Sequence, residues 1–197
     1  VTEERQAIGN RILAFTIDEI GDIWFGNQQG QLGVYSQKTG YATLINRDNF
    51  PAGYVSFNRI RMINKDRSGY IWVGTDDGNV QVTKDGGKNW SNVTVNIAGL
   101  PANTWVYHIE ASVHGKGTAY AVFDGHARGD MKPYVYKTKD YGTTWTSIVT
   151  DDISMFARNI QEDYVNEDLL FLGAENGLYI TVNGGKNWSH FTNNFPH

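Results

Sequence analysis

The sequence contains no cysteine, only four prolines and no long apolar run. Without cysteine the chain has no disulfide, no thiol nucleophile and no thiolate metal ligand. The absence of cysteine does not indicate whether the protein is intracellular or extracellular. No apolar stretch approaches the roughly 18 residues that a membrane helix requires, and residues 1–10 lack the basic and apolar pattern of a signal peptide. We therefore expect no membrane insertion.

The chain also lacks an excess of positive charge. Its 17 Lys and Arg residues stand against 21 Asp and Glu residues, which gives a formal net charge of −4, and the basic residues form no cluster along the sequence. A partner with a phosphate backbone requires such a cluster. We therefore expect no nucleic acid partner.

Helical periodicity is missing, whereas aromatic residues are abundant. No stretch of 10 or more residues keeps a helical period, and aromatic residues make up 13% of the 197 positions. This length is typical of one domain, or two at most. The composition excludes intrinsic disorder and indicates a globular chain with a sheet-rich interior.

Four similar segments recur along the chain. Each has an apolar or aromatic strand core, and their starts lie 48, 48 and 51 residues apart. The cores cover residues 21–26, 69–74, 117–123 and 168–173. A period near 50 residues is typical of propeller blades, in which each unit is a four-stranded antiparallel sheet. The sequence therefore predicts an all-β fold, a β-propeller segment of about four blades.

Each core is preceded by one apolar stretch and followed by two shorter ones, so we expect four strands per unit. The turns after the cores read NQQG, TDDG and AENG in the first, second and fourth units, and Asp-Gly and Asn-Gly favour tight hairpins. The predicted blades span residues 10–49, 57–95, 105–150 and 156–192 of one segment covering residues 1–197. The aligned second-strand residues that we expect to be buried between blades are Trp24, Trp72, Tyr120 and Phe171.

A second pattern, T-x-D-x-G-x-x-W, joins the third and fourth strands of the last three units. Asp or Asn at a turn start accepts hydrogen bonds from later backbone N–H groups, glycine permits a positive φ, and tryptophan packs between blades. The first unit has only SQKTG at residues 36–40. The residues of the pattern are Thr83, Asp85, Gly87, Trp90, Thr138, Asp140, Gly142, Trp145, Thr181, Asn183, Gly185 and Trp188.

These turns resemble the Asp-box, or bacterial neuraminidase repeat, of sialidases, sortilins, xyloglucanases and photosystem assembly propellers. Over residues 69–196, strings such as LLFLGAENGLYITVNGGKNWSHFTNNFP are similar to sortilin-like bacterial propellers that are often labelled glycosyl hydrolases with BNR repeats. Residues 1–68 resemble that family less closely. The resemblance implies a ring of six to ten blades, of which this chain supplies part, and it brings no agreed active site.

The boxes themselves do not indicate an enzyme. Each Asp, Gly and Trp is needed to fold its own turn, so we interpret the box residues as structural. Sialidase chemistry uses three arginines around a carboxylate together with a Tyr and Glu pair. The chain has only eight arginines and lacks the arginine-bearing motif that opens sialidase domains, so a sialidase is disfavoured.

The turns between the second and third strands should open on the face opposite the boxes, because successive strand connections alternate between the two faces. In the third unit this turn expands to residues 123–133, and long loops on a rigid scaffold often carry binding groups. The candidate binding residues are Asp76, Asp77, Asp124, His126, Arg128, Asp130 and Glu175, with Asn27, Gln28, Lys132 and Asn176 beside them.

Three interpretations of this face stay open. Asp124 or Asp130, paired with a carboxylate from another blade, is a candidate for acid and base in glycoside cleavage. His126 beside these two carboxylates is an alternative ligand set for a divalent ion. In the structural interpretation, Asp124 accepts from N–H groups of its own loop, His126 packs against the neighbouring blade, and the other polar residues serve their turns.

We expect a binding or scaffold propeller that recognises a protein, peptide or glycan on this face, because repeats present an extended surface while no complete catalytic set is found. The alternative is a piece of a glycoside hydrolase. We expect no cofactor, no metal and an extracellular or periplasmic location. Exposed faces of the terminal blades predict self-association or contact with the remainder of a longer chain.

Overall fold

The computed structural model describes residues 11–45 and 59–191, which form four four-stranded antiparallel sheets. The strands of the first two sheets are β1 (Ile12–Ile17), β2 (Ile23–Asn27), β3 (Leu32–Ser36), β4 (Tyr41–Leu44), β5 (Ile60–Lys65), β6 (Ile71–Thr75), β7 (Val80–Thr83) and β8 (Ser91–Asn92). Those of the last two are β9 (Trp105–Ala111), β10 (Ala119–Asp124), β11 (Tyr134–Thr138), β12 (Thr146–Ser147), β13 (Ala157–Glu162), β14 (Leu170–Ala174), β15 (Gly177–Thr181) and β16 (Ser189–Phe191). In these ranges the helical structure consists of 3-10 turns at Thr94–Asn96 and His126–Arg128.

The four sheets are blades of a propeller, which we number 1 to 4 in chain order. Within each blade the strands lie side by side in sequence order. The first strands of successive blades contact one another, β1 with β5, β5 with β9 and β9 with β13, so they form the inner edge of the arrangement. The predicted all-β propeller of four-stranded antiparallel blades is confirmed. The predicted blade limits at residues 10, 49, 57 and 192 lie outside the described residues.

Aromatic side chains fill the spaces between blades. The Trp24 ring of β2 meets the Trp90 ring of blade 2 edge to face with centroids 6.3 Å apart, and Trp72 of β6 meets Trp145 of blade 3 in the same way at 6.3 Å. Trp188 of blade 4 donates through Nε1 to the Ile148 carbonyl of blade 3 at 2.9 Å. Each late tryptophan therefore packs against the preceding blade, as edge-to-face pairing of aromatic rings favours.

The residue near the end of each second strand is matched in size to the side chain that it contacts in the next blade. A Cβ atom added at Gly26 would lie 2.3 Å from the Ile60 side chain, and one added at Gly74 would lie 2.5 Å from Val106. Between blades 3 and 4 the sizes are exchanged, because Val122 occupies the glycine position and Ala157 takes the place of the larger residue in one buried cluster. Close packing thus fixes the spacing of the blades.

One predicted core position differs from its counterparts. Trp24, Trp72 and Tyr120 are buried, whereas Phe171 is only partly buried, so the expectation that Phe171 is a core residue is wrong. The second-strand aromatic residue packs on the blade that follows. Blade 4 is the last blade described, and Phe171 therefore lies on a sheet face against which no further described blade packs.

The outer face of blade 1 is uncovered as well. Phe15 and Ile17 of β1 are 67% and 50% exposed, although neighbouring Ala14, on the opposite face, is buried against blade 2. Apolar sheet faces on both terminal blades are what a propeller segment leaves when adjacent blades are absent. The chain forms part of a larger propeller.

Candidate functional site

One face of the blades carries the turns between second and third strands, and we term it the loop face. The antiparallel registers place the start of each first strand at the same end as these turns, for example Ile12 opposite Asn27 and Trp105 opposite Asp124. The links between blades therefore end on the loop face as well. The opposite face carries the turns between third and fourth strands, and we term it the box face.

Each first strand has a β-bulge near its loop-face end. The pairing register of β1, β5, β9 and β13 with its second strand shifts once, at the same place in every blade. A bulge re-aims a side chain and is over-represented beside active sites. The extra residues are Leu13, Arg61, Tyr107 and Arg158.

Three of these bulge residues form a cluster of guanidinium groups and aromatic rings. The Arg61 guanidinium carbon lies 4.6 Å from the centroid of the Trp105 ring and 5.8 Å from that of Tyr107. The Arg158 guanidinium carbon lies 5.5 Å from the Tyr107 centroid and 5.1 Å from that of Phe156. Blades 2, 3 and 4 all contribute, so only the assembled propeller brings these groups together. We term Arg61, Trp105, Tyr107, Phe156 and Arg158 the bulge cluster.

Asp124 lies beneath this cluster. Its side chain is fully buried at the end of β10 and accepts from the His126 backbone N–H at 2.8 Å, while His126 Nδ1 lies 2.7 Å from both carboxylate oxygens. Arg158 Nε lies 3.6 Å from Asp124 Oδ2. The buried carboxylate thus has cationic or polar neighbours in its own loop and in blade 4.

His126 packs across the boundary between blades 3 and 4. Its imidazole stacks on the Phe156 ring with centroids 4.9 Å apart and planes inclined by 14°. The Trp105 ring meets it edge to face at 6.5 Å. This geometry holds the imidazole between the loop and blade 4.

The other predicted carboxylates of the loop face serve local contacts. Asp76 Oδ1 accepts from the Arg59 backbone N–H at 2.9 Å, and its Oδ2 lies 3.7 Å from Arg59 Nε. Asp77 bonds the Thr75 hydroxyl in the same turn. Glu175 lies 3.9 Å from an Arg158 terminal nitrogen on the surface.

Asp130 and Arg128 lie further along the expanded loop and bind other partners than Asp124 does. Asp130 Oδ2 accepts from the Tyr134 hydroxyl at 2.7 Å, and this hydrogen bond holds the pKa of the carboxyl below its usual range. Burial and the nearby carboxylate raise the pKa of Tyr134 to about 12. Arg128 donates to the Ala102 carbonyl and the Thr104 hydroxyl, each at 2.9 Å. Asp124 and Asp130 are therefore engaged by different partners.

The box turns of blades 2, 3 and 4 share one set of hydrogen bonds. In blade 3, Thr138 Oγ1 donates to Asp140 Oδ1 at 2.9 Å and accepts from the Gly142 N–H at 2.9 Å, while Asp140 Oδ1 accepts from the Thr144 N–H at 2.8 Å. The equivalent bonds recur around Thr83 and Thr181, and Asn183 replaces the aspartate in blade 4.

The two faces carry different cations. Arginine gathers on the loop face, whereas most turn lysines lie on the box face; Arg67, in a box-face turn, and Lys132, on the expanded loop, are exceptions. Guanidinium groups stack on aromatic rings and pair with carboxylates through two parallel bonds, which an ammonium does not. The loop-face arginines are Arg11, Arg59, Arg61, Arg128 and Arg158, and the box-face lysines are Lys38, Lys84, Lys88, Lys116, Lys139 and Lys186.

The sequence reasoning missed the bulge cluster. Arg61, Tyr107 and Arg158 lie in first strands that looked like ordinary core strands, and the expanded loop attracted attention instead. An alignment of the four units would have offered a signal, because the bulge position reads Leu, Arg, Tyr and Arg. When large polar side chains recur at one position of an otherwise apolar strand, that position is expected to face solvent or a ligand.

A groove of about 650 Å³ lies between blades 3 and 4 on the box side, lined by Lys137, Lys139, Asp168 and Lys186 among others. Burial lowers the pKa of the Lys137 ammonium, which lies 4.8 Å from the Tyr120 ring centroid. In the described ranges no three His, Asp or Glu side chains form a group suited to a metal ion. Nor does any helix described there have the length and apolar character needed to cross a membrane.

Comparison with known proteins places the chain among propellers. Residues 54–77 match the two component regulator propeller family. The oligoxyloglucan-reducing end-specific xyloglucanase of Emericella nidulans is 27% identical over 133 residues, which cover 60% of this chain and 15% of that protein.

Solved structures show the same fold at low sequence identity. An ancestral GH74 enzyme superposes with a TM-score of 0.73 at 17% identity, over 95% of this chain and 25% of its own. The GH74 xyloglucanase from Xanthomonas campestris gives 0.69 at 20% identity, over 91% of this chain and 29% of its own. The extracellular domain of a hybrid two component system from B. thetaiotaomicron gives 0.70 at 17% identity, over 94% and 25%. The chain thus spans less than a third of the length of these relatives.

Proposed function

We propose that this chain is part of a glycan-binding propeller and that the glycan lies on the loop face against Trp105 and Tyr107. The observation that carries the proposal is the bulge cluster, in which three blades bring rings and guanidinium groups to one face. Both rings are only partly buried. Aromatic rings with polar tips suit ligands that are apolar on one side and hydroxylated on the other, as sugars are.

The relatives support a saccharide ligand outside the cell. The curated relative is a xyloglucanase, and one solved neighbour is an extracellular domain of a bacterial two component system. A rigid propeller that binds a saccharide suits both an extracellular enzyme and an extracellular sensor domain, because the loops at the ends of its strands carry the binding groups. We accordingly propose an extracellular location for this chain.

Binding assays on the full-length protein test this function. Affinity electrophoresis against a panel of neutral and acidic plant polysaccharides should reveal retardation by at least one of them. Tyr107→Ala should weaken that retardation, because the substitution removes a ring that two guanidinium groups contact. Tyr41→Ala is the matched control, since Tyr41 is an exposed tyrosine at the box end of β4.

The results separate cleanly. Binding that depends on Tyr107 and not on Tyr41 supports the proposal. No retardation by any polysaccharide, or equal loss in both variants, would overturn it.

A second candidate function is a piece of a glycoside hydrolase, which the similarity to a xyloglucanase favours. The carboxylates of the loop face fit this function less well. Asp124 is fully buried between His126 and Arg158, and the Tyr134 bond lowers the pKa of Asp130, whereas a general acid requires a raised pKa. Any catalytic pair would then need a carboxylate from another part of a longer protein.

The hydrolase function has its own test. Reducing ends released from xyloglucan by the full-length protein would be measured for the wild type, Asp124→Asn and Asp130→Asn. Activity abolished by either substitution, in a protein that still unfolds cooperatively, would favour the enzyme over the binding propeller. No release by the wild type would leave binding as the function.

A further inference from the structure

Arg61 differs from Arg59, Arg128 and Arg158, the other arginines of the loop face that make contacts there. Arg59 pairs with Asp76, Arg158 lies beside Asp124 and Glu175, and Arg128 donates to loop oxygens. Arg61 has no carboxylate within 4.0 Å among the described residues, whereas Arg59 and Arg158 each have one. Its Nε atom, like theirs, is buried without a hydrogen-bond acceptor there. A buried N–H without an acceptor is costly, because it has left water without a replacement bond, and Arg61 lacks the nearby carboxylate that offsets this cost for Arg59 and Arg158.

Two rings hold this guanidinium group in place. Its carbon lies 4.6 Å from the Trp105 centroid and 5.8 Å from that of Tyr107. Stacking fixes the plane of the group and leaves its N–H edge for a planar anion such as a carboxylate. A charge that is already oriented loses less side-chain entropy when it binds.

The surroundings favour an anion at this point. Arg158 contacts the same Tyr107 ring, and the nearby carboxylates of Asp124 and Glu175 already have arginine or histidine neighbours. Asp124 and Glu175 are thus taken up by Arg158 and His126, and Arg61 is the guanidinium group of the bulge cluster that has no carboxylate partner among the described residues.

We propose that the glycan of the loop face carries carboxylate groups, as uronic acids do, and that one of these carboxylates pairs with Arg61. This inference rests on the proposed glycan-binding function and specifies its ligand class. A uronic acid combines a sugar ring, which suits Trp105 and Tyr107, with a carboxylate, which suits a guanidinium fork. An acidic peptide would use the cations alone, so the observations favour the glycan.

The experiment compares acidic oligosaccharides with forms in which only the charge is removed. Oligogalacturonate, oligoalginate and glucuronoxylan oligosaccharides, each beside its carboxyl-reduced form, are titrated into the full-length protein by calorimetry. We expect at least one acidic form to bind about tenfold or more tightly than its reduced form, as a charge-assisted hydrogen-bonded pair provides.

Variants assign the effect to Arg61. Arg61→Gln should remove the difference between the acidic and the reduced forms, and Arg61→Lys should restore part of it, because the charge returns without the fork. Arg67→Gln, in an exposed turn of the box face, is the matched control and should leave the difference unchanged. Circular dichroism of each variant checks that the fold is retained.

Each outcome decides between the claims. Equal binding of acidic and reduced forms, or binding of neutral xyloglucan oligosaccharides alone, would overturn the carboxylate inference and leave glycan binding standing. A charge preference that persists in Arg61→Gln would overturn the role of Arg61. Binding of poly-glutamate that depends on Arg61, with no glycan bound, would overturn both and indicate an acidic peptide partner.

Discussion

At the scale of single residues, one threonine hydroxyl holds each box turn. Thr138 is buried, and its hydroxyl donates to Asp140 and accepts from the Gly142 N–H. Thr138→Val keeps the shape but leaves that buried N–H without an acceptor. We expect a loss of about 1–3 kcal/mol in the free energy of unfolding, measured by urea denaturation.

Asp140→Asn is the matched control for this loss. Asn183 already occupies the equivalent position in blade 4, where its Oδ1 accepts from the Lys186 and Asn187 N–H groups at 3.1 Å each. The amide oxygen therefore replaces the carboxylate, and we expect a smaller loss than for Thr138→Val. A larger loss for Asp140→Asn would contradict this account of the turn.

Asp130 makes the expanded loop sensitive to acid. The hydrogen bond from Tyr134 lowers the pKa of the Asp130 carboxyl below the unfolded value of about 3.9. A lowered acid pKa stabilises the fold above the unfolded pKa, and this contribution is lost as the pH falls through the folded pKa. We therefore expect Asp130→Asn to destabilise the protein at pH 7, and the gap between variant and wild type to narrow as the pH falls below about 4.

Urea denaturation of both proteins at pH 7 and pH 3 measures this effect. Asp151→Asn provides the control, because Asp151 is an exposed carboxyl in a turn of the link between blades 3 and 4. A gap that is equal at the two pH values would show that the Asp130 carboxylate does not contribute through its charge.

At the scale of strands, the end of β6 is closed to any side chain. A Cβ atom at Gly74 would lie 2.5 Å from Val106 of the next blade, whereas at Gly173, the same position in blade 4, its nearest neighbour would be Asn159 at 3.8 Å. Gly74→Ala should therefore cost about 1–3 kcal/mol of the free energy of unfolding of the 197-residue chain. Gly173→Ala should have little effect.

The double substitution Gly74→Val with Val106→Ala copies the exchange found between Val122 and Ala157. If matched sizes set the spacing of the blades, it should be less destabilising than Gly74→Val alone. Equal destabilisation would mean that the strands cannot reproduce the packing of blades 3 and 4.

The strands also show which features the sequence predicts and which it does not. The repeated cores and turn chemistry predict the strands because those signals are local, and the burial of Trp24, Trp72 and Tyr120 follows from their alignment. The predicted burial of Phe171 was wrong because burial at this position depends on a following blade, and the repeat pattern does not show whether one is present. The bulge cluster was missed because a one-residue register shift, which turns Arg61 and Tyr107 to the surface, leaves no period in the sequence.

At the scale of the whole molecule, the uncovered faces of blades 1 and 4 should recruit other chains. Phe15 and Ile17 expose a large part of their apolar surface, and Phe171 is partly exposed at the other end. We expect the isolated 197-residue chain to self-associate in sedimentation velocity runs, and Phe15→Lys with Ile17→Lys to reduce that association.

Tyr164→Lys is the matched control for these substitutions. Tyr164 is 81% exposed but lies in a turn between β13 and β14, not in a strand of either terminal sheet face. Its substitution should leave the association unchanged. A wild-type chain that sediments as a monodisperse 22.1 kDa monomer would contradict the expectation.

Glycan binding on the loop face is tested most directly by hydroxyl-radical footprinting of the full-length protein with and without oligogalacturonate, or whichever panel saccharide binds. Trp105 and Tyr107 are partly exposed on the loop face, whereas Tyr164 is exposed on the box face. We expect the saccharide to lower the oxidation rate of Trp105 and Tyr107 and to leave that of Tyr164 unchanged. Protection of Tyr164, with Trp105 and Tyr107 oxidised as fast as in the free protein, would contradict it.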